Sequence, residues 1–202
     1  MRFPFPIAAA ALLALTPLPL LAQDNTATEG DTADTTAPAE GDLSLGTPDN
    51  AEPTVGQTYI AETFSDWELR CIRAEDGNDP CQIYQLLSDS DGNAVAEINI
   101  FDLPPGQEAA AGATVITPLE TLLTAQVRLV VDDGQAKRYP FSFCTQIGCY
   151  ARLGFTAAEV EQFKAGASGS VTIASAARPD EPVSLRVSLS GFTAAWNAMT
   201  GG

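Results

Sequence analysis

The sequence predicts a mainly β domain: an antiparallel β-sandwich or irregular barrel with two short helices and two disulfides. Apolar and polar residues alternate over many short segments, which is typical of strands with one buried face. Clusters of Gly, Pro, Asn and Asp separate these segments, as expected for hairpin turns. The four cysteines form an even set, which in an exported domain indicates two disulfides.

Composition divides the 202 residues into three parts. Residues 1–22 read as a secretory signal peptide, because Arg2 precedes an apolar stretch that ends at the small residue Ala22. That stretch of about 15 residues is shorter than a membrane span, so no integral span is expected after cleavage. Residues 23–56 carry acids but no Lys, Arg or aromatic residue, which predicts a disordered acidic linker. Residues 57–202 remain as one β domain.

The first predicted strand is Thr63–Cys71, which alternates with Trp67, Leu69 and Cys71 on one face. A turn-rich loop leads to a returning strand at 81–87. Turns at 89–93 and 102–106, and further strands, follow. The remaining predicted strands span residues 94–101, 112–118, 125–131, 137–143, 150–155, 170–175 and 183–189.

Two helices interrupt the strands. Thr156 and Glu159 have the spacing of a capping box, and Gly166 is a natural C-terminal cap. The second helix is predicted over 191–199, because its apolar side chains recur at helical spacing.

The cysteines are Cys71, Cys81, Cys144 and Cys149, and sequence alone permits three pairings. The hairpin reading favours the local pairs Cys71–Cys81 and Cys144–Cys149, since opposed residues of an antiparallel pair come close enough to bond. The crossed pairings stay open. They would join distant parts of the domain and stabilise it more in the loop-entropy account.

Charge limits the possible partners. The chain has 26 acids against 10 bases, and residues 57–202 hold 18 acids and 9 bases. Nucleic-acid binding is excluded, because the phosphate backbone needs a basic surface, and anionic lipid is disfavoured for the same reason.

Catalytic groups are scarce. The chain has no histidine, which removes the commonest general base and most zinc sites. Asp89, Asp91 and Asn93 resemble the start of a calcium loop, but Glu97 comes too early for an EF-hand, so a hairpin turn is favoured. The Asp132-Asp133-Gly134 run is likewise read as a hairpin turn and not as a catalytic carboxylate pair. No cofactor is expected.

Two further sets of residues are candidate binding groups. Lys137, Arg138 and Arg152 could form a basic spot on neighbouring strands that binds an anionic group. Trp67 and Trp196 could stack on a ligand, but each lies in phase with apolar neighbours, so core packing is favoured.

Three segments together resemble the invasion-associated locus B family of alphaproteobacterial exported proteins. The first is Asp66–Cys71 followed by Cys81–Gln85. The second is Arg138–Cys144 with Ile147-Gly148-Cys149, and the third is Pro182–Phe192. The resemblance spans about residues 60–200 and departs at Glu120, where family members more often have glycine.

The resemblance implies a periplasmic or secreted, envelope-associated protein and brings no catalytic residues with it. We therefore expect a non-enzymatic exported protein that binds a protein or envelope component, and a role in host interaction is compatible with the family. Two alternatives stay open: a histidine-free carboxylate enzyme acting on envelope glycans, and a small-ligand carrier.

Overall fold

The computed structural model describes Gly46 and residues 52–201. The predicted signal peptide and most of the predicted linker lie outside the described residues. Within the linker range, Thr54–Gly56 form part of a turn, in which the Gly56 N–H donates to the Arg73 carbonyl at 2.8 Å. Residues 54–56 are therefore hydrogen-bonded to the folded domain, although they fall within the predicted linker range.

Eleven strands and two helices make up the described part of the chain. The strands are β1 Thr58–Phe64, β2 Trp67–Ile72, β3 Cys81–Ser88, β4 Ala94–Asp102, β5 Ala111–Thr117, β6 Val127–Val131, β7 Lys137–Tyr139, β8 Phe141–Cys144, β9 Cys149–Phe155, β10 Ser168–Ile173 and β11 Val183–Ser188. The helices are α1 Ala157–Ala165 and α2 Phe192–Thr200, and a 3-10 turn spans Leu123–Ala125.

All strand pairs are antiparallel. The order along the sheet is β7-β6-β10-β11-β3-β4-β5-β9-β8, and β2 also pairs with β3 and carries β1 on its other side. The sheet is barrel-like and nearly closed. The sequence prediction of a mainly β antiparallel fold with two helices and two disulfides is confirmed, and its barrel alternative describes the architecture.

The predicted strand over 137–143 is in fact two strands at opposite ends of the sheet. Tyr139 of β7 pairs with Val127, whereas Phe141 of β8 pairs with Ala151. Pro140 stands between them; it has no N–H to donate to a ladder and its ring fixes φ. The chain therefore passes from one terminal strand of the sheet to the other at this one residue.

The predicted strand over 63–71 also divides in two. Ser65 has φ 54°, and Phe64 pairs directly with Trp67 across a two-residue turn. A positive φ cannot be accommodated inside a strand, so the chain reverses there. The alternation of Trp67, Leu69 and Cys71 is as expected, with all three side chains buried.

Aromatic side chains link the helices to the sheet. Trp67 is fully buried and contacts Phe192 of α2 edge to face, with ring centroids 5.3 Å apart. Phe192 stacks on Phe163 of α1 at 5.3 Å, and Phe163 packs on Phe155 at 5.0 Å. Trp196 is also largely buried, so both tryptophans are part of the core.

Both disulfides form between opposed strand residues. Cys71 is the register partner of Cys81, and Cys144 is that of Cys149, with Cα atoms 4.1 and 4.0 Å apart. These are the two local bonds that the hairpin reading favoured.

The capping box of α1 is present. The Thr156 hydroxyl accepts from the Glu159 N–H, and the Glu159 carboxylate accepts from the Thr156 N–H at 3.0 Å. Gly166 ends the helix with φ −75°, so it is not a left-handed cap. Glycine fits there because an added Cβ would meet Leu189 Cδ1 at 2.8 Å and Asp132 Oδ2 at 2.9 Å.

Candidate interaction surface

A line of mostly apolar side chains crosses five strands on the outer face of the sheet. Register pairs Leu86 with Glu97, Glu97 with Ile116, Ile116 with Tyr150, and Tyr150 with Phe143. Directly opposed residues share one face of a sheet. The neighbours of Leu86 on β3, Gln85 and Leu87, are buried, so this line faces outward. We call Leu86, Ile116, Tyr150 and Phe143 the apolar row.

Aromatic stacking fixes one end of the apolar row. The rings of Phe143 and Tyr150 stack with centroids 4.8 Å apart and planes at 16°. The Arg152 guanidinium lies 5.3 Å from the centroid of Phe143. Because the Cys144–Cys149 bond closes the hairpin one residue away, both rings are held in register.

A groove beside the apolar row is bordered by the loop that this disulfide closes. Its volume is about 350 Å³, and Leu86, Val95, Ile116, Pro118 and Ile147 contribute to its lining. Ile147 is 80% exposed and Leu86 is 53% exposed. Large apolar side chains gathered in one exposed area mark interaction surfaces.

Gly148 allows the loop to approach the sheet. A Cβ at this position would collide with the carbonyl oxygen of Thr117 and would lie 3.1 Å from Ile116 Cγ2. Glycine at this position therefore brings Ile147 next to the apolar row.

A second, polar cleft of about 430 Å³ lies where β2, β3 and β11 meet. Its lining includes Asp66, Glu68 and Asp89, the type of carboxylates a histidine-free hydrolase would need. Each already has a partner: Asp66 accepts from the Ser188 hydroxyl at 2.6 Å, and Glu68 pairs with Arg70 at 2.7 Å.

Asp89 is engaged in its own turn. Its carboxylate accepts from the backbone N–H groups of Asp91 and Asn93 and from the Asn93 side chain, at 2.9, 2.9 and 3.0 Å. These bonds, first that from the Asn93 side chain, lower the pKa of Asp89 below its ordinary value. The three predicted calcium-loop residues thus meet in a hairpin turn. Over 52–201, no group of three or more His, Cys, Asp or Glu is arranged to hold a metal.

The three predicted basic residues each have a different immediate partner. Lys137 pairs with Glu159 at 2.6 Å, and Arg138, the next residue along the strand, donates to the Ala125 carbonyl at 3.0 Å. Arg152 lies over Phe143, beside one end of the apolar row. The residue that sequence reasoning missed is Arg128, which is the register partner of Arg138.

The Lys137–Glu159 pair changes the titration of both groups. Desolvation raises the pKa of Glu159, but hydrogen bonds from Lys137 and Thr156 outweigh it, so its pKa lies below the ordinary value. The hydrogen bond to Glu159 raises the pKa of Lys137.

Asp132 has a structural partner. Its carboxylate accepts from the N–H groups of Ala167 and Ser168, the latter at 2.9 Å, where the chain passes from α1 to β10. Asp133, beside it in the same hairpin turn, is exposed. The Asp132-Asp133-Gly134 run thus lies in the turn between β6 and β7.

Among residues 52–201, no helix is long and apolar enough to cross a membrane.

Comparison with known proteins gives consistent matches. The family model described as Invasion associated locus B (IalB) protein matches residues 67–200. Two curated relatives, each described as an Invasion protein B homolog, come from Brucella abortus strain 2308 and from biovar 1 strain 9-941 of the same species. Each is 28% identical over 140 residues, which cover 69% of this chain and 79% of the relative.

The crystal structure of invasion associated protein B from Bartonella henselae has a similar fold. The TM-score is 0.58 at 23% sequence identity, and the alignment covers 69% of this chain and 94% of the other.

Proposed function

The chain belongs to the Invasion associated locus B family, and from this premise we propose that it is a non-enzymatic exported protein that binds another protein through the apolar row. It works in the periplasm or after secretion. Two disulfides and the signal-peptide pattern of residues 1–22 support export.

The observation that carries the binding role is the apolar row with the adjoining Ile147. Leu86, Phe143 and Ile147 are 53, 42 and 80% exposed, and all lie on or beside one line across the sheet. Burying such side chains against a partner contributes about 1.5–3 kcal/mol each. The Cys144–Cys149 bond and the Phe143–Tyr150 stack hold the surface in a fixed shape, which reduces the entropy lost on binding.

The partner suited to this surface is a protein with complementary apolar side chains. Glu97 lies between Leu86 and Ile116 and adds one acidic position for orientation. The relatives' names connect them with invasion, which supports a partner on the host or envelope side.

The test is capture of envelope or host-surface proteins by the chain lacking residues 1–22. Leu86→Ser and Ile147→Ser should each reduce the amount of a captured protein by about tenfold or more. Ile60→Ser is the matched control, because Ile60 is 54% exposed on β1, outside the apolar row. Equal capture by all four proteins would contradict the proposal, as would capture no greater than background over a range of salt concentrations.

A further inference from the structure

We propose that Arg128 and Arg138 form a binding site for a compact dianionic group, a phosphate monoester, on the outer face of β6 and β7. This site is separate from the apolar row and uses different strands.

The two arginines stand directly opposite each other in the β6–β7 ladder. Val127 and Leu129, the neighbours of Arg128 on β6, are buried, so Arg128 faces outward, and its register partner Arg138 shares that face. Opposed residues of an antiparallel pair have Cβ atoms about 4.5–5.5 Å apart. Two guanidinium groups therefore extend from one small area of the surface.

Such a pair is unfavourable without an anion. Like charges directly opposed across a sheet destabilise it. Residues 57–202 hold 18 acids and 9 bases, so the domain has enough carboxylates to pair with each arginine. Within residues 52–201, the ion pairs engage Arg70, Arg73, Lys137, Lys164 and Arg178. Arg128 and Arg138 are not among them.

The surroundings of the pair are polar and hydroxyl-rich. Across β10 and β11, the row that contains Arg138 and Arg128 continues with Thr172 and Ser184. The next row contains Ser170 and Arg186. These positions add hydroxyl donors. Arg186 lines the polar cleft that also contains Asp66, Glu68 and Asp89, so it is not part of the site. The basic area is thus confined to Arg128 and Arg138.

Guanidinium chemistry specifies the ligand class. Each guanidinium presents a planar fork of N–H donors that matches the oxygens of a phosphate group in pairs. Arg138 uses one N–H for the Ala125 carbonyl, which orients the group and leaves its other donors for a ligand. A polyanion such as nucleic acid would be repelled by the net charge of −16 on the chain, so a single dianionic group fits best.

The experiment titrates the exported chain lacking residues 1–22 with glucose 6-phosphate, using glucose as the uncharged control. A parallel arm uses phosphatidylcholine vesicles with and without phosphatidic acid, which presents the same phosphate monoester on a lipid. We expect the protein to bind at least one phosphate-bearing probe, and Arg128→Gln or Arg138→Gln to weaken that binding about tenfold or more.

The matched control is Arg178→Gln, because Arg178 lies in a different loop and pairs with exposed Glu181. Folding is checked by thermal denaturation, in which glucose 6-phosphate or the vesicles should raise the Tm of the wild type and leave that of Arg128→Gln unchanged. Binding to sugar phosphate identifies a soluble or glycan-borne group, and binding to vesicles alone identifies a lipid headgroup; either supports the site. Failure to bind both probes, or equal binding by the wild type and the Arg128 and Arg138 variants, would overturn it.

Discussion

The side-chain amide of Gln85 binds both backbone polar groups of Ser188. Its Oε1 accepts from the Ser188 N–H at 2.8 Å, and its Nε2 donates to the Ser188 carbonyl at 3.0 Å. The register between β3 and β11 contains the single pair Arg186 and Ser88. β3 pairs with β2 along part of its length and with β11 at its end. At this junction the Gln85 side chain joins β3 to β11 in place of backbone hydrogen bonds.

Replacement of this amide should weaken the domain. Gln85→Leu removes both bonds. The half-buried Ser188 N–H loses its partner, which costs about 1–3 kcal/mol, while the Ser188 carbonyl keeps the bond from Trp67 Nε1 at 2.8 Å. We expect the free energy of unfolding to fall by about 2–3 kcal/mol, measured by urea denaturation. Gln107→Leu, in an exposed loop, is the control and should stay within about 0.5 kcal/mol of the wild type. Equal stability of the two variants would show that Gln85 does not join the strands.

Gly191 should resist substitution more strongly than Gly201. Both have positive φ, 86° and 69°, but a Cβ on Gly191 would collide with the Phe64 carbonyl, whereas a Cβ on Gly201 would meet nothing within 4 Å. Gly201→Ala should cost about 1–2 kcal/mol from its backbone conformation alone. Gly191→Ala should cost about 4 kcal/mol or more, since the β1–β2 turn must also move. Thermal denaturation compares the two, and similar losses would contradict the close approach.

Loss of either disulfide should lower stability, but only loss of Cys144–Cys149 should reduce partner binding. The loop-entropy account gives about 2 kcal/mol for Cys144–Cys149 and slightly more for Cys71–Cys81, which closes a longer loop. Cys144→Ala with Cys149→Ala should lower stability and also reduce partner capture, because Ile147 loses its fixed position. Cys71→Ala with Cys81→Ala is the matched control, which should lower stability but retain capture at temperatures where the domain is folded. Capture that follows stability in both variants would contradict a specific role for the first bond.

Thiol titration of the exported protein should find almost no free cysteine. All four cysteines are bonded, so the denatured, unreduced chain should react with a thiol reagent only after reductant is added. A pair of reactive thiols per chain before reduction would refute the assignment of both bonds.

Glu159 should make the domain sensitive to acid. Its folded pKa lies below the ordinary value of 4.5, so its stabilising contribution is complete above that pH and is lost as pH falls through the folded pKa. Lys137 has the opposite sign: its contribution is present below 10.5 and is lost as pH rises through its raised pKa.

Glu159→Gln should therefore flatten the dependence of unfolding free energy on pH in the acid range, by at most about 1.4 kcal/mol per pH unit. The amide keeps an oxygen for the capping box, so the helix start should survive. Glu161→Gln is the control on the same helix, because Glu161 is 68% exposed. An unchanged acid slope in Glu159→Gln, measured by urea denaturation at several pH values, would contradict the assignment.

The sequence was informative where local rules act alone. The alternation around Trp67, the capping box at Thr156 and the local cysteine pairs needed only neighbouring residues. The boundaries between β1 and β2 and between β7 and β8 were missed. Ser65-Asp66 and Pro140 mark these boundaries, but the alternation of apolar and polar residues continues on both sides of them. Gly166 was predicted as a C-terminal cap and does end α1, but its φ is −75°, and glycine is required there by the approach of Leu189 and Asp132 from other parts of the chain.

The arginine pair could have been found from the sequence. A hairpin centred on Asp133 places residues equally distant from it opposite each other, and Arg128 and Arg138 are each five positions away. The apolar row could not, because it depends on the order of β3, β4, β5, β9 and β8, which no local pattern contains.

The single residue between β7 and β8 has a consequence for the rate of recognition. Tyr139 and Phe141 belong to opposite ends of the sheet, yet their Cα atoms can be no more than about 7.6 Å apart. β7 and β8 therefore cannot move apart to admit a partner unless the β6–β7 or the β8–β9 pairing is lost. Association should thus be a single-step encounter with a preformed surface, and its observed rate constant should rise linearly with partner concentration, with no plateau from a rearrangement.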